Sequence, residues 1–424
     1  MTSSADRAAK RRRFLQFLAA SPLLACSTFT SDAVAEDGLQ LFERLPDPLT
    51  WAPFGSNKAI ANPKDALDVF DFERVAYQKV PPAHFGYMAS GVDDDFTLRA
   101  NRADFGKLAV RPRRLRNVAN PDSSIELFGM KWDSPVFLCP AGGLGAFHGD
   151  AEIAVSKAAE KGKHLQFLSS AASRSIEDTI AARGGTQIGF QLYAPTDFEI
   201  AKSMILRAER AGSRVMAITV DSVGRRMVTS ERMKQLDTRN CLECHQTMAG
   251  GTNRLEWPSL SHLDLETRKR YAMAAGGLDW EMVRRLRDTT KMKVLIKGIV
   301  DPADAALCVK YGFDGVYLSN HGGRSGDIGT STISILPEVV AAVKGKVPVI
   351  VDSGFRRGMD VVKAMALGAS AVGVGRPYIW GLGAFGEEGV ARVLELLRAE
   401  VKAAQAQAGA PRLKDLLPEM IRKV

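Results

Sequence analysis

The sequence predicts an α/β protein: a (β/α)8 TIM barrel behind an N-terminal helical and short-strand segment, with a long insertion after its fourth barrel strand. Three observations predict it. From residue 135 onward, short apolar runs alternate with helical patterns eight times, and polar residues gather just past the carboxyl end of each run. A chain of 424 residues, 46% hydrophobic and 25% charged, is also large enough to bury such a core. A doubly wound open sheet shares this alternation and stays open as the second reading, because periodicity does not reveal closure.

The first 35 residues read as an address. Arg11-Arg12-Arg13-Phe14-Leu15-Gln16 matches a twin-arginine export signal, the apolar stretch 14–25 that follows is too short for a stable membrane span, and Ala33-Val34-Ala35 offers a small-x-small cleavage site. Leu23-Leu24-Ala25-Cys26 offers a competing cut that would leave a lipid-bearing Cys26. A periplasmic protein, free or lipid-anchored, is the expectation; a basic amphipathic start to the fold is the alternative. Since this export route carries folded proteins, it also points to a tightly bound cofactor. The net charge is +9, of which residues 1–35 carry +3 and the rest +6, spread along the chain. That is not a nucleic-acid stripe, although it is compatible with a small anionic substrate or a membrane surface.

Residues 36–134 read as a lead-in and barrel cap. A Pro/Gly-rich stretch gives way to a helical pattern over 65–88, interrupted at Pro81-Pro82 and ending in Tyr87-Met-Ala-Ser-Gly91. A second helix opens at Phe96 after Asp93-Asp94-Asp95, and 108–134 suggests short strands that plug one end of the larger body. Tyr87 reads as either core or ligand. The barrel itself spans 135–405, with strands expected at 136–138, 166–169, 187–191, 215–219, 294–296, 315–319, 349–352 and 371–374. Helices are expected at 151–161, 176–183, 201–211, 279–289, 302–311, 335–343, 358–367 and 385–405, leaving 406–424 as a tail.

At the strand ends stand Pro140-Ala141-Gly142, Ser169-Ser170, Gln191 and Tyr193, Thr219 and Asp221, Lys297, His321 and Arg324, Asp352 with Arg356, and Gly375-Arg376. The loop Ser319-Asn-His-Gly-Gly-Arg324 pairs an imidazole, which exchanges protons near neutral pH, with a guanidinium, which grips carboxylates in a fork. By itself it reads equally as a glycine-rich turn with a satisfied histidine. Asp352-x-Gly354-x-Arg356 and Gly375-Arg376 follow the last two strands, where barrels bind phosphate through glycine-rich backbone.

These motifs together resemble the flavin-mononucleotide-dependent α-hydroxy-acid oxidases and dehydrogenases, the glycolate oxidase and lactate dehydrogenase family. Ser319-Asn-His-Gly-Gly-Arg324, Phe190-Gln-Leu-Tyr193, Thr219-Val-Asp221, Val294-Leu-Ile-Lys-Gly298, Val351-Asp-Ser-Gly-Phe-Arg-Arg-Gly358 and Gly375-Arg-Pro377 carry the resemblance, which runs from about residue 66 to 405. The family is a (β/α)8 barrel, so the open sheet recedes. The resemblance implies FMN as cofactor and His321 as the base that takes a proton from a 2-hydroxy acid, with Asp221 paired to it. It implies Arg324 and Tyr87 as carboxylate holders helped by Arg226, Tyr193 as a hydrogen-bonding partner near the hydroxyl, and Lys297 as a cation at the flavin's pyrimidine edge. Pro140, Ala141, Gly142, Ser169, Gln191, Thr219 and Ser319 would line the flavin; Asp352, Gly354, Arg356, Gly375 and Arg376 would line its ribityl-phosphate.

Three departures qualify the resemblance. Pro140-Ala141-Gly142 stands where many relatives have Pro-Thr-Ala, so one hydroxyl is missing. Ala171 stands where several have Trp, which predicts room for a substrate bulkier than glycolate. The segment after Asp221 is shortened, which bears on Arg226.

Residues 227–278 form a longer connection than a βα loop needs. Inside it, Cys241-Leu-Glu-Cys244-His245 is the pattern for covalent c-type haem, with Met248, His262 or Met273 as candidates for the second axial ligand. A disulfide between Cys241 and Cys244 is the alternative. Cys139 and Cys308 read as buried structural thiols. The expectation is a periplasmic FMN dehydrogenase that oxidises a 2-hydroxy acid and passes electrons to haem, a cytochrome or the respiratory chain. An oxygen-using oxidase releasing hydrogen peroxide is the alternative within enzymes, and a non-catalytic flavin and haem electron carrier the alternative outside them. Relatives are often tetramers, which implies a homo-oligomer by analogy.

Overall fold

The computed structural model describes residues 59–224, 226–235, 257–274 and 276–424. The export signal, Cys26, Cys241, Cys244, His245 and Met248 lie outside the described residues.

Three helices lead in: α1 (Phe70–Lys79), α2 (Pro82–Ala89) and α3 (Phe96–Ala103). Proline divides the first two as expected: Pro82 takes the first helical position, where its missing N–H costs nothing. Strand β1 (Leu108–Val110) and the antiparallel hairpin β2 (Ile125–Leu127) and β3 (Met130–Trp132) follow.

Eight parallel strands then form one sheet: β4 (Val136–Leu138), β5 (Phe167–Ser169), β6 (Gly189–Leu192), β7 (Val215–Thr219), β8 (Lys293–Ile299), β9 (Gly315–Leu318), β10 (Val349–Val351) and β11 (Ala371–Val374). Nearly every residue in them is buried, as expected of parallel strands covered on both faces. All eight fall on the predicted runs; β4, β7 and β11 match their predicted bounds and the other five differ by one to three residues. The sheet closes between β4 and β5 through a single bridge, Leu138 to Gln166, with the Leu138 N–H donating to the Leu165 carbonyl at 2.9 Å. Side chains stitch this thin seam. Phe137 and Phe167 meet edge to face at 5.7 Å, and His164 Nδ1 bonds the Val136 carbonyl at 2.8 Å. The fold is therefore a barrel and not an open sheet.

The remaining helices are α4 (Ala151–Lys161), α5 (Ile176–Ala182), α6 (Phe198–Arg210), α7 (Val228–Gln235), α8 (Leu265–Lys269), α9 (Trp280–Arg287), α10 (Pro302–Lys310), α11 (Thr332–Val343), α12 (Gly358–Ala366) and α13 (Arg376–Ala408), of which α7 and α8 belong to the insertion. Their starts follow capping chemistry: Ser175, Asp197, Asp279, Asp301 and Ser331 each accept a backbone N–H of the first turn. The last helix differs from expectation, beginning at Arg376 and breaking at Phe385 and Gly386 before continuing. Its first part is rich in glycine and aromatics, which hides the helical period.

The hairpin plugs the end of the barrel where the strands start. Leu127 and Trp132 join Phe137, Phe167, Val215, Leu295, Tyr317 and Ile350 in one apolar cluster. The C-terminal residues, expected as a tail, pack instead: β12 (Ile421–Lys423) pairs with β1, and Leu413, Leu416 and Met420 are buried among residues of α12 and α13. Among the described residues no helix is long and apolar enough to cross a membrane.

Candidate active site

The opposite end of the barrel is polar. The loop after β9 turns through three consecutive left-handed residues, His321 (φ 58°), Gly322 (φ 68°) and Gly323 (φ 80°). Two of the three are glycine, which adopts this region freely, and Gly323 lies so close to the Leu98 backbone that a Cβ would sit 2.7 Å from it. The turn aims the His321 ring back over the strand ends. Its Nδ1 lies 3.0 Å from Asp221 Oδ1 and its Nε2 lies 3.3 Å from the Tyr193 hydroxyl, whose ring runs nearly parallel at 19°. The carboxylate partner assigns the proton to Nδ1 and leaves Nε2 as the proton acceptor. The His321 N–H donates to Ser319 Oγ at 3.0 Å, which holds the turn.

The Asp221 side chain is 9% exposed, and its Oδ2 has no hydrogen-bond partner in the structure. Burial alone raises a carboxyl's pKa, but the charges of His321 and Lys297 outweigh it and hold Asp221 below the usual range. Lys297 shows the converse balance. Burial pushes its ammonium down, yet Asp221 and Asp352 more than compensate and raise it, so the buried cation persists. Its Nζ donates to Ser319 Oγ at 3.1 Å. Gly298 sits against Asp221, where a Cβ would come within 2.6 Å of the carboxylate's own Cβ.

Arg324 reaches the C-terminal end of α2. It bonds the carbonyls of Tyr87 and of Ser90 (2.9 Å), and its Cζ lies 4.4 Å from the centre of the Tyr87 ring. Tyr87 is 45% exposed at this rim, which removes it from the core. Arg226 is exposed, and its carbonyl accepts the Asp93 N–H at 2.9 Å. Arg376 places its guanidinium on the carbonyls of Met88, Ser90 and Gly322.

Polar side chains form a relay across successive strands. Ser169 Oγ donates to Gln191 Oε1 (2.8 Å), and Gln191 Nε2 donates to Thr219 Oγ1 (2.9 Å). Pro140, Ala141 and Gly142 follow β4, half-buried, and Gly142 faces Ala171 so closely that a Cβ would lie 2.9 Å from the alanine's. Two of the three departures from the family pattern, at residues 140–142 and at Ala171, therefore meet in space. After β10, Asp352 accepts from Ser353 Oγ (2.8 Å) and from the Cys139 thiol (3.5 Å), whose pKa burial drives well upward. Gly354 (φ 89°) packs on the Asn101 carbonyl, where any Cβ would collide, and Arg356 stacks over Trp380 at 4.9 Å. Gly375 precedes the start of α13. Cys308 is fully buried in α10.

Sequence reasoning missed the supports of this site. Asn320 and Asn101 exchange reciprocal side-chain hydrogen bonds at 2.8 and 2.9 Å, both fully buried. Asp327 accepts the N–H groups of Asp94 and Thr97, serving as a distant cap for α3. Asn320 and Asp327 stand in or beside the quoted loop motif, but nothing local marks Asn101.

The stems of the insertion flank the site. On one side α7 packs on α2, with Met233 against Gly86, and Met227 Sδ lies 3.7 Å from Arg324. On the other, Ser259 Oγ donates to the Ser170 carbonyl, and Ala274 N–H donates to the Ala194 carbonyl. His262 has both ring nitrogens engaged on α6, by Ser203 Oγ (2.6 Å) and Arg207 (3.2 Å), while Met273 is half-buried opposite Pro195.

Comparison with known proteins places this arrangement. A family model described as FMN-dependent dehydrogenase matches residues 76–423. The chain belongs to this family. It is 37% identical over 353 residues to the L-lactate oxidase of Lysinibacillus sphaericus (strain C3-41), covering 82% of this chain and 90% of that protein. It is 36% identical to glycolate oxidase 1 of Oryza sativa subsp. indica, covering 83% and 94%. The solved structure of a soluble mutant of the membrane-associated (S)-mandelate dehydrogenase from Pseudomonas putida superposes with a TM-score of 0.75 at 33% identity, covering 85% of this chain and all of that one. This family member is thus an oxidoreductase acting on CH–OH donors with FMN as cofactor.

The residues present fit FMN. A lysine ammonium buried with Ser169, Gln191, Thr219 and Ser319 at one barrel end supplies the mixed donors and acceptors that a flavin's pyrimidine edge requires. Gly354, too crowded for any side chain, and Gly375 at a helix start offer backbone N–H groups to a phosphate.

Proposed function

We propose that this enzyme oxidises an L-2-hydroxy acid, lactate-like or bulkier, to the 2-oxo acid. The observation that carries the reading is the His321–Asp221 pair at 3.0 Å, with the Tyr193 hydroxyl 3.3 Å from Nε2. Arg324 and Tyr87 hold the substrate carboxylate at the rim, with Arg226 as the nearby helper. Tyr193 orients the hydroxyl toward His321. The imidazole takes the proton on Nε2, and ionised Asp221 stabilises the imidazolium as it forms. FMN, which Ser169, Gln191, Thr219, Lys297 and Ser319 would hold, would supply the acceptor for the remaining hydride equivalent, two electrons and one proton. Lys297 keeps a fixed positive charge beside the flavin-lining residues throughout. Gly142 and Ala171, both small and in contact, support a substrate with a larger side chain than glycolate. An anaerobic absorption spectrum before and after a panel of 2-hydroxy acids graded by side-chain size tests this. Bleaching of the flavin by the larger acids is expected, and failure of every acid to bleach it would overturn the reading.

We further propose that the electrons leave through covalent c-type haem at Cys241, Cys244 and His245 toward a cytochrome or respiratory-chain acceptor in the periplasm. The five-residue pattern, the twin-arginine signal and the position of both insertion stems beside the site support this. A haem stain on the denatured mature protein is expected to be positive; no covalent haem would sink the proposal. The second reading, an oxidase that reduces oxygen to hydrogen peroxide, is favoured by the oxidases among the relatives. Anaerobic turnover with cytochrome c or a dye separates the two. Membrane association through a lipidated Cys26 and a homotetramer complete the proposal, tested by the mass of the N-terminal peptide and of the intact particle.

A further inference from the structure

Arg376 is implied by family resemblance to line the ribityl-phosphate, but its side chain is committed elsewhere. Nε donates to the Met88 carbonyl at 2.9 Å, one terminal nitrogen to Gly322 at 3.0 Å and the other to Ser90 at 3.0 Å. Only 8% of the residue is exposed. Two of these acceptors close α2, the helix that presents Tyr87, and the third belongs to the catalytic loop one residue past His321. The Ser90 carbonyl also accepts from Arg324 at 2.9 Å, so one buried oxygen is shared by two guanidinium groups. Val92 N–H donates to the Gly323 carbonyl at 3.0 Å, continuing the same seam. A Cβ on Gly322 would lie 2.8 Å from Arg376 Nη1, at a residue whose φ of 68° already favours glycine. The C-terminal carbonyls of a helix carry partial negative charge and lack helical partners, and a planar cation with several fixed donors satisfies them in a defined geometry.

We propose that Arg376 is a positioning residue for substrate recognition: its side chain staples the Tyr87 helix to the His321 loop, and it does not hold the cofactor's phosphate. The inference rests on the 2-hydroxy-acid reading above, in which Tyr87 and Arg324 hold the substrate carboxylate. Loss of the staple frees the α2 terminus, and with it both members of that clamp.

The test compares wild type with Arg376→Lys and Arg376→Gln in two arms. In the first, FMN and riboflavin are titrated into apoprotein by flavin fluorescence. The preference for FMN over riboflavin is expected to stay within about threefold of wild type, because no phosphate contact has been removed. In the second arm, KM for the preferred 2-hydroxy acid is expected to rise by about tenfold or more, with a smaller change in kcat, in both variants, since lysine retains the charge but not the fork. A fall of tenfold or more in FMN preference would overturn the proposal, as would an unchanged KM. Should either variant fail to fold, a crystal structure of the FMN-loaded wild type decides: the guanidinium on the carbonyls of Met88, Ser90 and Gly322 supports the staple, and the guanidinium on the phosphate refutes it. Failure of every acid to bleach the wild-type flavin would strike the substrate reading instead and leave the cofactor arm interpretable.

Discussion

The two ends of the barrel are made from the same eight strands and opposite chemistry. Where the strands begin, Phe137, Phe167 and Tyr317 pack tilted or edge to face against one another and a hairpin drives Leu127 and Trp132 into the gap. Where they end, Ser169, Gln191, Thr219, Lys297 and Ser319 are equally buried yet polar, and each is satisfied by a neighbour from another strand. Stability and chemistry are thereby assigned to different ends of one scaffold. The polar end can store a lysine and an ionised aspartate in the interior because the apolar end supplies the burial energy that offsets them.

The separation of roles can be broken from either side. His321→Gln removes the base but keeps the polar surface, so kcat/KM should fall by roughly 10²- to 10⁴-fold while thermal unfolding hardly moves; a large fall in Tm would show that the loop is structural. Trp132→Ala should do the reverse. Removing the plug costs about 3–5 kcal/mol in urea unfolding, with turnover per folded molecule preserved.

A third change sharpens the contrast through pH. His164, buried at the seam between β4 and β5, has its pKa pushed down to about 4 by burial. The unfolded chain therefore takes up a proton near pH 6.5 that the folded chain refuses until about pH 4. Stability falls as pH drops through that window, by on the order of 3 kcal/mol. His164→Gln should flatten the denaturation-midpoint profile between pH 7 and 4.5, and an unchanged slope would acquit this residue. The smallest effect is expected from Asn101→Ala, which leaves the Asn320 amide buried without its reciprocal partner and costs about 1–3 kcal/mol. KM should rise as well, because Asn320 precedes His321.

Strand positions were legible in the sequence because buried parallel strands are continuous apolar runs, and the polar residue ending each run is visible beside its neighbour. His321, Asp221 and Lys297 could be read for that reason, and the structure brings them together. Their supports were hidden because they act across the chain. Asn101 and Asn320 are 219 positions apart, and Asp327 caps a helix that starts 231 positions earlier, so no local pattern pairs them with their partners. The start of α13 escaped because its glycines serve close packing, with Gly381 and Gly389 in backbone contact, and glycine erases helical periodicity. Arg376 was recognised as a site residue from its neighbours in the motif, whereas its partners are carbonyl oxygens, which no side-chain alphabet records.

The seam at His164 has a further consequence for motion. Every other pair of adjacent barrel strands is laced by at least two residue pairs, whereas β4 and β5 share one bridge, two rings and an imidazole. A ring opens at its clasp. Backbone amides of Leu138 and its neighbours should exchange with solvent before those of β7 and β8, and acid should widen that difference by charging the imidazole that helps fasten the gap.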